Sequence, residues 1–324
     1  MIPRIEVDRL TKSFGSSTVV DAVSFSVASR EIFGFLGPNG AGKTTTIKMM
    51  STLLAPTHGT VRIAGYDVVR DRMKVRQRIG MVFQDPTLDE RLTGWENLRF
   101  HGLLYGLSTK DTRQRADELL DLVGLSDKQH QLVKSYSGGM KRRLELARGM
   151  IHQPPVLFWD EPTVGLDPQT RHQVWQTIEQ LVKQNDTSVF VTTHYMDEAE
   201  LCHRVAIMDN GQLIALDTPE ALKRQIGKGR IAMQLATSPD VRTQTIWQEA
   251  LGAGLQGRGN SWTYETDQIA RDLPRVVSVF GDLIVQLEVK DPTLEDVFLR
   301  LTGKKIRDEG PQTSRPPWMR GRGR

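Results

Sequence analysis

The sequence predicts an α/β chain: a parallel core sheet, an antiparallel subsheet beside it, a helical insertion, and a small α+β unit at the end. Three observations predict this. Runs at 31–36, 79–83, 156–159 and 188–191 are almost continuously apolar, as strands buried on both faces are. Helical stretches separate such runs up to about residue 226, the alternation that covers a parallel sheet with helices. Finally, residues 19–27 alternate like a half-exposed strand, and Asn210-Gly211 between two apolar runs is a type I′ hairpin signal. Both suggest the antiparallel subsheet.

In chain order, residues 84–153 read mostly as helix. Thr93-Gly94-Trp95-Glu96 forms a capping box, and Gly124 stops a helix over 110–123. That stretch is the helical insertion. A short helix over 218–225 follows, and Gly227-Lys228-Gly229 reads as a linker. Beyond it lie strands at 231–236, 261–266 and 283–289 and helices at 241–251 and 268–280. A last helix has Asp291 as its expected cap, Pro292 in its first turn, and Leu294, Val297, Phe298 and Leu301 on one face. The expected units are therefore 1–226, 227–302 and a basic tail, 303–324, whose Pro, Gly and Arg content predicts disorder.

Of the 324 residues, 38% are hydrophobic and 25% charged, which excludes a disordered, collagenous or coiled-coil chain. Apolar runs end far short of the roughly 20 residues a membrane helix needs. The first residues contain no apolar h-region, so no signal peptide is expected. A single cysteine, Cys202, leaves no disulfide framework and no cysteine zinc site. The net charge is +4, yet 303–324 hold seven basic and two acidic side chains, so the body before them is almost neutral. A basic groove for nucleic acid is not expected, and no nucleic-acid partner is assigned.

Two motifs carry chemistry. Gly37-Pro38-Asn39-Gly40-Ala41-Gly42-Lys43-Thr44 fits the phosphate-loop pattern in full, after a predicted strand and before a predicted helix. Its glycines let backbone N–H groups wrap phosphates at a helix N-terminus. Lys43 adds a positive charge, and the Thr44 hydroxyl can ligate Mg²⁺. The run 156–159 ends in Asp160-Glu161 at the same sheet edge. There Asp160 can hold Mg²⁺ through water, and Glu161 can orient or deprotonate the water that attacks a γ-phosphate.

With those motifs in place, residues 4–222 resemble the nucleotide-binding subunit of an ABC transporter. Tyr136-Ser137-Gly138-Gly139-Met140 is similar to the family signature, with Tyr for the commoner Leu and Met for Gln. The resemblance implies that Ser137, Gly138 and Gly139 cap the γ-phosphate bound to the opposite subunit. It implies that Gln84 is the Q-loop glutamine sensing Mg²⁺ and γ-phosphate, that Gly165-Leu166-Asp167-Pro168 is the D-loop, and that His194 is the switch histidine. It also implies that Phe14 stacks on adenine and that Thr45 joins the phosphate loop in binding nucleotide. The tail-proximal Pro292-Thr293-Leu294-Glu295-Asp296-Val297-Phe298-Leu299 and the Tyr-Ser-Gly-Gly-Met form look like the drug-resistance branch typified by daunorubicin exporters.

The resemblance thus implies an ATPase using ATP and Mg²⁺, with Lys43, Gln84, Glu161 and His194 catalytic and Thr44, Gln84 and Asp160 at the metal. A homodimer would sandwich two ATP molecules and drive a separate membrane permease from the cytoplasmic face, exporting a drug-like or hydrophobic compound. The basic tail would assist contact with anionic lipid. The alternative is a soluble ABC ATPase acting on ribosomes or DNA, usually marked by two cassettes, coiled-coil arms or zinc cysteines. A P-loop kinase or GTPase would share Gly37 to Thr44 but not the signature or His194.

Overall fold

The computed structural model describes residues 3–83 and 87–303. The chain opens with strands β1 (Ile5–Phe14) and β2 (Ser17–Val27), then β3 (Ile32–Leu36), α1 (Lys43–Met50), β4 (His58–Ile63), β5 (Tyr66–Asp67), α2 (Arg72–Arg76) and β6 (Ile79–Val82). Helices α3 (Gly94–Leu104), α4 (Thr109–Leu122) and α5 (Gly138–Met150) form the insertion. Then come β7 (Val156–Asp160), α6 (Pro168–Gln184), β8 (Ser188–Thr193), α7 (Met196–Ala199), β9 (Arg204–Asp209), β10 (Gln212–Asp217) and α8 (Pro219–Ile226). The chain continues through β11 (Gly229–Leu235), α9 (Val241–Leu251), β12 (Leu255–Arg258), β13 (Ser261–Thr266), α10 (Ile269–Phe280), β14 (Ile284–Lys290) and α11 (Leu294–Thr302).

The core sheet has the order β10-β9-β3-β8-β7-β6 and is parallel except for the β9–β10 pair. Every residue of β3, β7 and β8 is buried, which is why their sequences read as unbroken apolar runs. An antiparallel sheet, β2-β1-β4-β5, lies over one face. Between the two sheets Phe25 stacks on Phe33 with ring centres 5.3 Å apart, and Phe33 on Phe190 at 5.6 Å. The other face of the core sheet buries Trp159, Leu157 and Val191 against α5 and α6.

Three expectations change. The Asn210-Gly211 hairpin does not belong to the antiparallel subsheet: β9 runs parallel to β3, so β10 extends the core sheet. Its turn and the start of β10 meet the subsheet, where the Asp21 N–H donates to the Gly211 carbonyl at 2.8 Å and the Gln212 amide donates to the Asp21 carboxylate at 2.9 Å. The cap of α11 is Thr293, whose hydroxyl accepts from the Asp296 N–H at 3.2 Å, while Asp291 and Pro292 precede the helix. The helix also turns away from the sheet that precedes it. Its Leu294, Val297 and Phe298 are buried in the same cluster as Leu222 of α8, whereas the sheet β12-β13-β11-β14 closes its own cluster around Trp247, Trp262 and Phe280. The capping box at α3 forms as expected, with Thr93 and Glu96 exchanging bonds of 3.2 and 2.8 Å. The basic tail, apart from Gly303, lies outside the described residues.

Candidate active site

Sheet register assembles the site. Leu36 of β3 pairs with Thr193 of β8, and Thr192 of β8 pairs with Asp160 of β7. The residues that follow each strand, Gly37, His194 and Glu161, therefore leave the carboxyl edge of three adjacent strands side by side. Gly37 is required there, because a Cβ would stand 2.3 Å from the Met208 carbonyl oxygen. Gly40 and Gly42 take φ of +83° and +106°, a region other residues enter only under strain.

Lys43 begins α1 and is buried. Its Nζ donates to the carbonyls of Gly37 at 2.7 Å and Pro38 at 3.1 Å and lies 3.9 Å from Glu161 Oε1. Burial pushes the ammonium below its ordinary pKa, against the opposing pull of Glu161 and Asp160. Asp160 is buried too, and burial pushes its carboxyl up. The Thr192 hydroxyl donates to it and holds it down, as do the charge of Lys43 and the nearby Thr44 hydroxyl. Thr44 and Asp160 thus present neighbouring hard oxygen donors. That set suits Mg²⁺, which takes one or two protein ligands and completes its shell with water and phosphate.

Glu161 has φ of +49°, a left-handed backbone in a non-glycine residue. Conformations of this kind cost about 1–3 kcal/mol and persist where the surroundings enforce them. Here the Glu161 N–H donates to the carbonyl and hydroxyl oxygens of Thr192, both at 3.1 Å. The carboxylate lies 3.4 Å from His194 Nδ1. His194 foremost, and Lys43 after it, hold Glu161 below the ordinary carboxylate range, so it is ionised at neutral pH and able to accept a proton.

The signature residues sit on a different helix. Ser137 caps α5 by accepting from the Met140 N–H at 3.3 Å, and Ser137 and Gly138 are exposed. A Cβ on Gly139 would meet Thr170 at 2.3 Å, so α5 lies tight against the start of α6. That start is fixed by Asp167, which accepts from the Thr170 N–H at 3.0 Å. Tyr136, the departure from the commoner signature, is buried. Its hydroxyl donates to the Lys128 carbonyl at 2.7 Å and occupies the space beside Gly94 that a Cβ would fill. Phe14 ends β1 with its ring exposed and the Lys12 ammonium 5.0 Å from its centre. Gln84 lies outside the described residues, but α5 grips both flanks of its segment. Arg142 donates to the Phe83 carbonyl at 2.6 Å, and Glu145 accepts from the Thr87 N–H at 2.7 Å.

Sequence reasoning missed Thr163, Thr192, Thr193 and Glu198, which are buried around the site. A hydroxyl pair just before His194 was the only signal; nothing local marks Glu198 as a buried acid.

A lysine opening a helix after a glycine-rich turn, an Asp-Glu pair at a strand end and a strand-end histidine, all at one edge of a parallel sheet, are the arrangement of a P-loop ATPase. The ABC transporter family matches residues 20–164. The linearmycin resistance ATP-binding protein LnrL of Bacillus subtilis is 36% identical, covering 94% of this chain and all of that protein. The daunorubicin/doxorubicin resistance ATP-binding protein DrrA of Streptomyces peucetius is 40% identical over 94% of each. The Nod factor export ATP-binding protein I of Paraburkholderia xenovorans is 40% identical over 94% of this chain and 98% of its own length. A solved ATP-binding subunit of an ABC transporter aligns with a TM-score of 0.62 at 30% identity, covering 68% of this chain and 92% of that one. An ATP-binding cassette solved as a dimer with ADP and Pi aligns at 0.60 and 26% identity, over 66% and 98%. The chain belongs to the ATP-binding proteins of ABC transporters, and it is a nucleotide-binding ATPase.

Proposed function

We propose that this chain powers export of a drug-like or hydrophobic compound through a separate membrane permease, working as a homodimer that encloses two ATP molecules. The observation that carries the reading is the convergence of Lys43, Asp160, Glu161 and His194 at one sheet edge, while the exposed Ser137 and Gly138 open a different helix. In this reading Lys43 and the N–H groups of residues 37–45 bind the β- and γ-phosphates, and Phe14 stacks on adenine. Ser137, Gly138 and Gly139 close over the γ-phosphate held by a second copy, with Asp167 at the dimer seam. Thr44, Asp160 and Gln84 would hold Mg²⁺, which would supply positive charge beside the phosphate oxygens. Glu161 takes a proton from the attacking water, and His194 orients Glu161 and the γ-phosphate.

No helix among the described residues is long and apolar enough to cross a membrane. The ATPase would therefore act peripherally, at the cytoplasmic face, against a partner that supplies the path. The names of LnrL and DrrA favour a toxic or drug-like cargo, and that of the Nod factor proteins favours export. The tail after Thr302 adds attraction to anionic lipid, at about 1 kcal/mol per basic residue near the surface.

The test is complementation in mixtures. Lys43→Ala and Ser137→Arg chains are each expected to be inactive alone. Mixed in equal amounts they should regain part of the ATPase activity, because one composite site of the mixed dimer is intact. No recovery in the mixture would refute the shared site.

A further inference from the structure

We infer that Glu198, which no role above uses, is a positioning residue that straps the Glu161 loop to the His194 loop; this inference rests on the reading just given. Glu198 lies in the short helix α7 and is 1% exposed. Its Oε1 accepts the hydroxyl proton of Thr163, two residues after Glu161. Its Oε2 accepts that of Thr193, immediately before His194, at 2.5 Å. Thr163 and Thr193 are themselves 0% and 1% exposed, so neither hydroxyl has water to turn to.

The carboxylate bridges more than the two catalytic loops. The Thr163 carbonyl accepts from the Leu166 N–H at 3.1 Å, which ties the strap to the turn before Asp167. On the other side the Thr193 hydroxyl accepts from the Tyr195 N–H at 2.9 Å. Arg171 of α6 places its Nε 3.9 Å from Glu198 and its guanidinium 4.3 Å from the Tyr195 ring, so it holds Glu198 and the His194 loop against α6. Desolvation alone would expel a lone carboxylate from such a place and pushes its pKa up; the hydroxyl donors and the Arg171 guanidinium offset part of that cost. The 3.4 Å contact between Glu161 and His194 is thus set by a group that touches neither the nucleotide nor the water.

Glutamine at 198 preserves volume, but only its carbonyl oxygen accepts, so one of the two hydroxyls loses its acceptor. In the full chain, Glu198→Gln is expected to lower kcat about 10-fold to 100-fold, the range seen when groups orienting a reactive residue are lost, with KM and ATP affinity within about twofold. Thr163→Val and Thr193→Val cut one strap each and should lower kcat in the same way, which keeps the inference testable if Glu198→Gln folds poorly. The decisive readout is a double-mutant cycle. With His194 already replaced by alanine, Glu198→Gln should change kcat by less than about threefold, because the orientation it maintains no longer matters. An equal fold-loss in both backgrounds, or a rise in KM at unchanged kcat, would overturn the inference. Glu161→Gln separates the two levels. If it keeps normal turnover, the functional reading fails. If it stops turnover while Glu198→Gln and both threonine variants keep kcat, only the strap fails.

Discussion

Replacing Glu161 by glutamine changes one atom of the site and separates binding from chemistry. The side chain lies 3.4 Å from His194 and 3.9 Å from Lys43, in a backbone fixed by two bonds to Thr192, so the amide inherits the same position. What is lost is the proton acceptor, worth about 10²-fold to 10⁴-fold in rate, or about 3–5 kcal/mol in the barrier. What is gained is a freer lysine. A unit charge pair at 3.9 Å interacts by about 4 kcal/mol at an effective dielectric of about 20, and the variant releases that attraction for the phosphates. ATP binding therefore persists while hydrolysis nearly stops, and the closed dimer accumulates. By size-exclusion chromatography with light scattering, the variant should run as a dimer of 36.5 kDa chains with ATP and Mg²⁺, and as a monomer with ADP. Adding Ser137→Arg should abolish the dimer and spare nucleotide binding. A Glu161→Gln protein that stays monomeric at saturating ATP would refute the sandwich.

Acid stability is set partly by His152, which stacks on Tyr105 with ring centres 3.7 Å apart and is held down to a pKa of about 4 by burial. The unfolded chain protonates this group first, so stability is undiminished above about pH 6.5, falls as pH drops towards 4, and loses about 3 kcal/mol at most. His152→Phe should flatten that acid limb in urea unfolding at pH 4.5–6.5, at a cost of about 1 kcal/mol at pH 7 from the lost bond to the Ile79 carbonyl. An unchanged acid limb would exclude His152 as its source. Gly94→Ala puts a methyl 2.5 Å from the Tyr136 hydroxyl and should destabilise by about 1–3 kcal/mol. Tyr136→Phe in the same chain should restore part of that loss; two additive losses in chemical denaturation would contradict the contact. Truncation after Thr302 should leave turnover intact and weaken salt-sensitive binding to anionic vesicles, and equal binding would end the role given to the tail.

Local signals suffice for most features that depend on neighbours in sequence, the cap of α11 excepted, where Asp291-Pro292 offers a competing helix start to Thr293. Buried parallel strands announce themselves because both faces are apolar, and Thr93-Gly94-Trp95-Glu96 caps α3 because its partners are three residues apart. Glycines 37, 40 and 42 mark a loop that only glycine can trace. β12 escaped notice because its four residues Leu-Gln-Gly-Arg bury one side chain. The hairpin at Asn210-Gly211 was legible as a hairpin, but its sheet was not, since pairing to β3 joins residues about 170 apart in sequence. The same holds for α11, whose apolar stripe is plain in the sequence although only the fold chooses α8 as its cover. Glu161, His194 and Lys43 could be found one by one from motifs, but their mutual distances follow from the strand order β3-β8-β7, which no local pattern encodes. Glu198 shows the limit most clearly. Thr193 is a near neighbour in the chain, but the burial of Glu198 and its bond to Thr163, 35 residues away, exist only after the two loops meet, so by itself the sequence determined which residues were present, and tertiary structure decided which of them became neighbours.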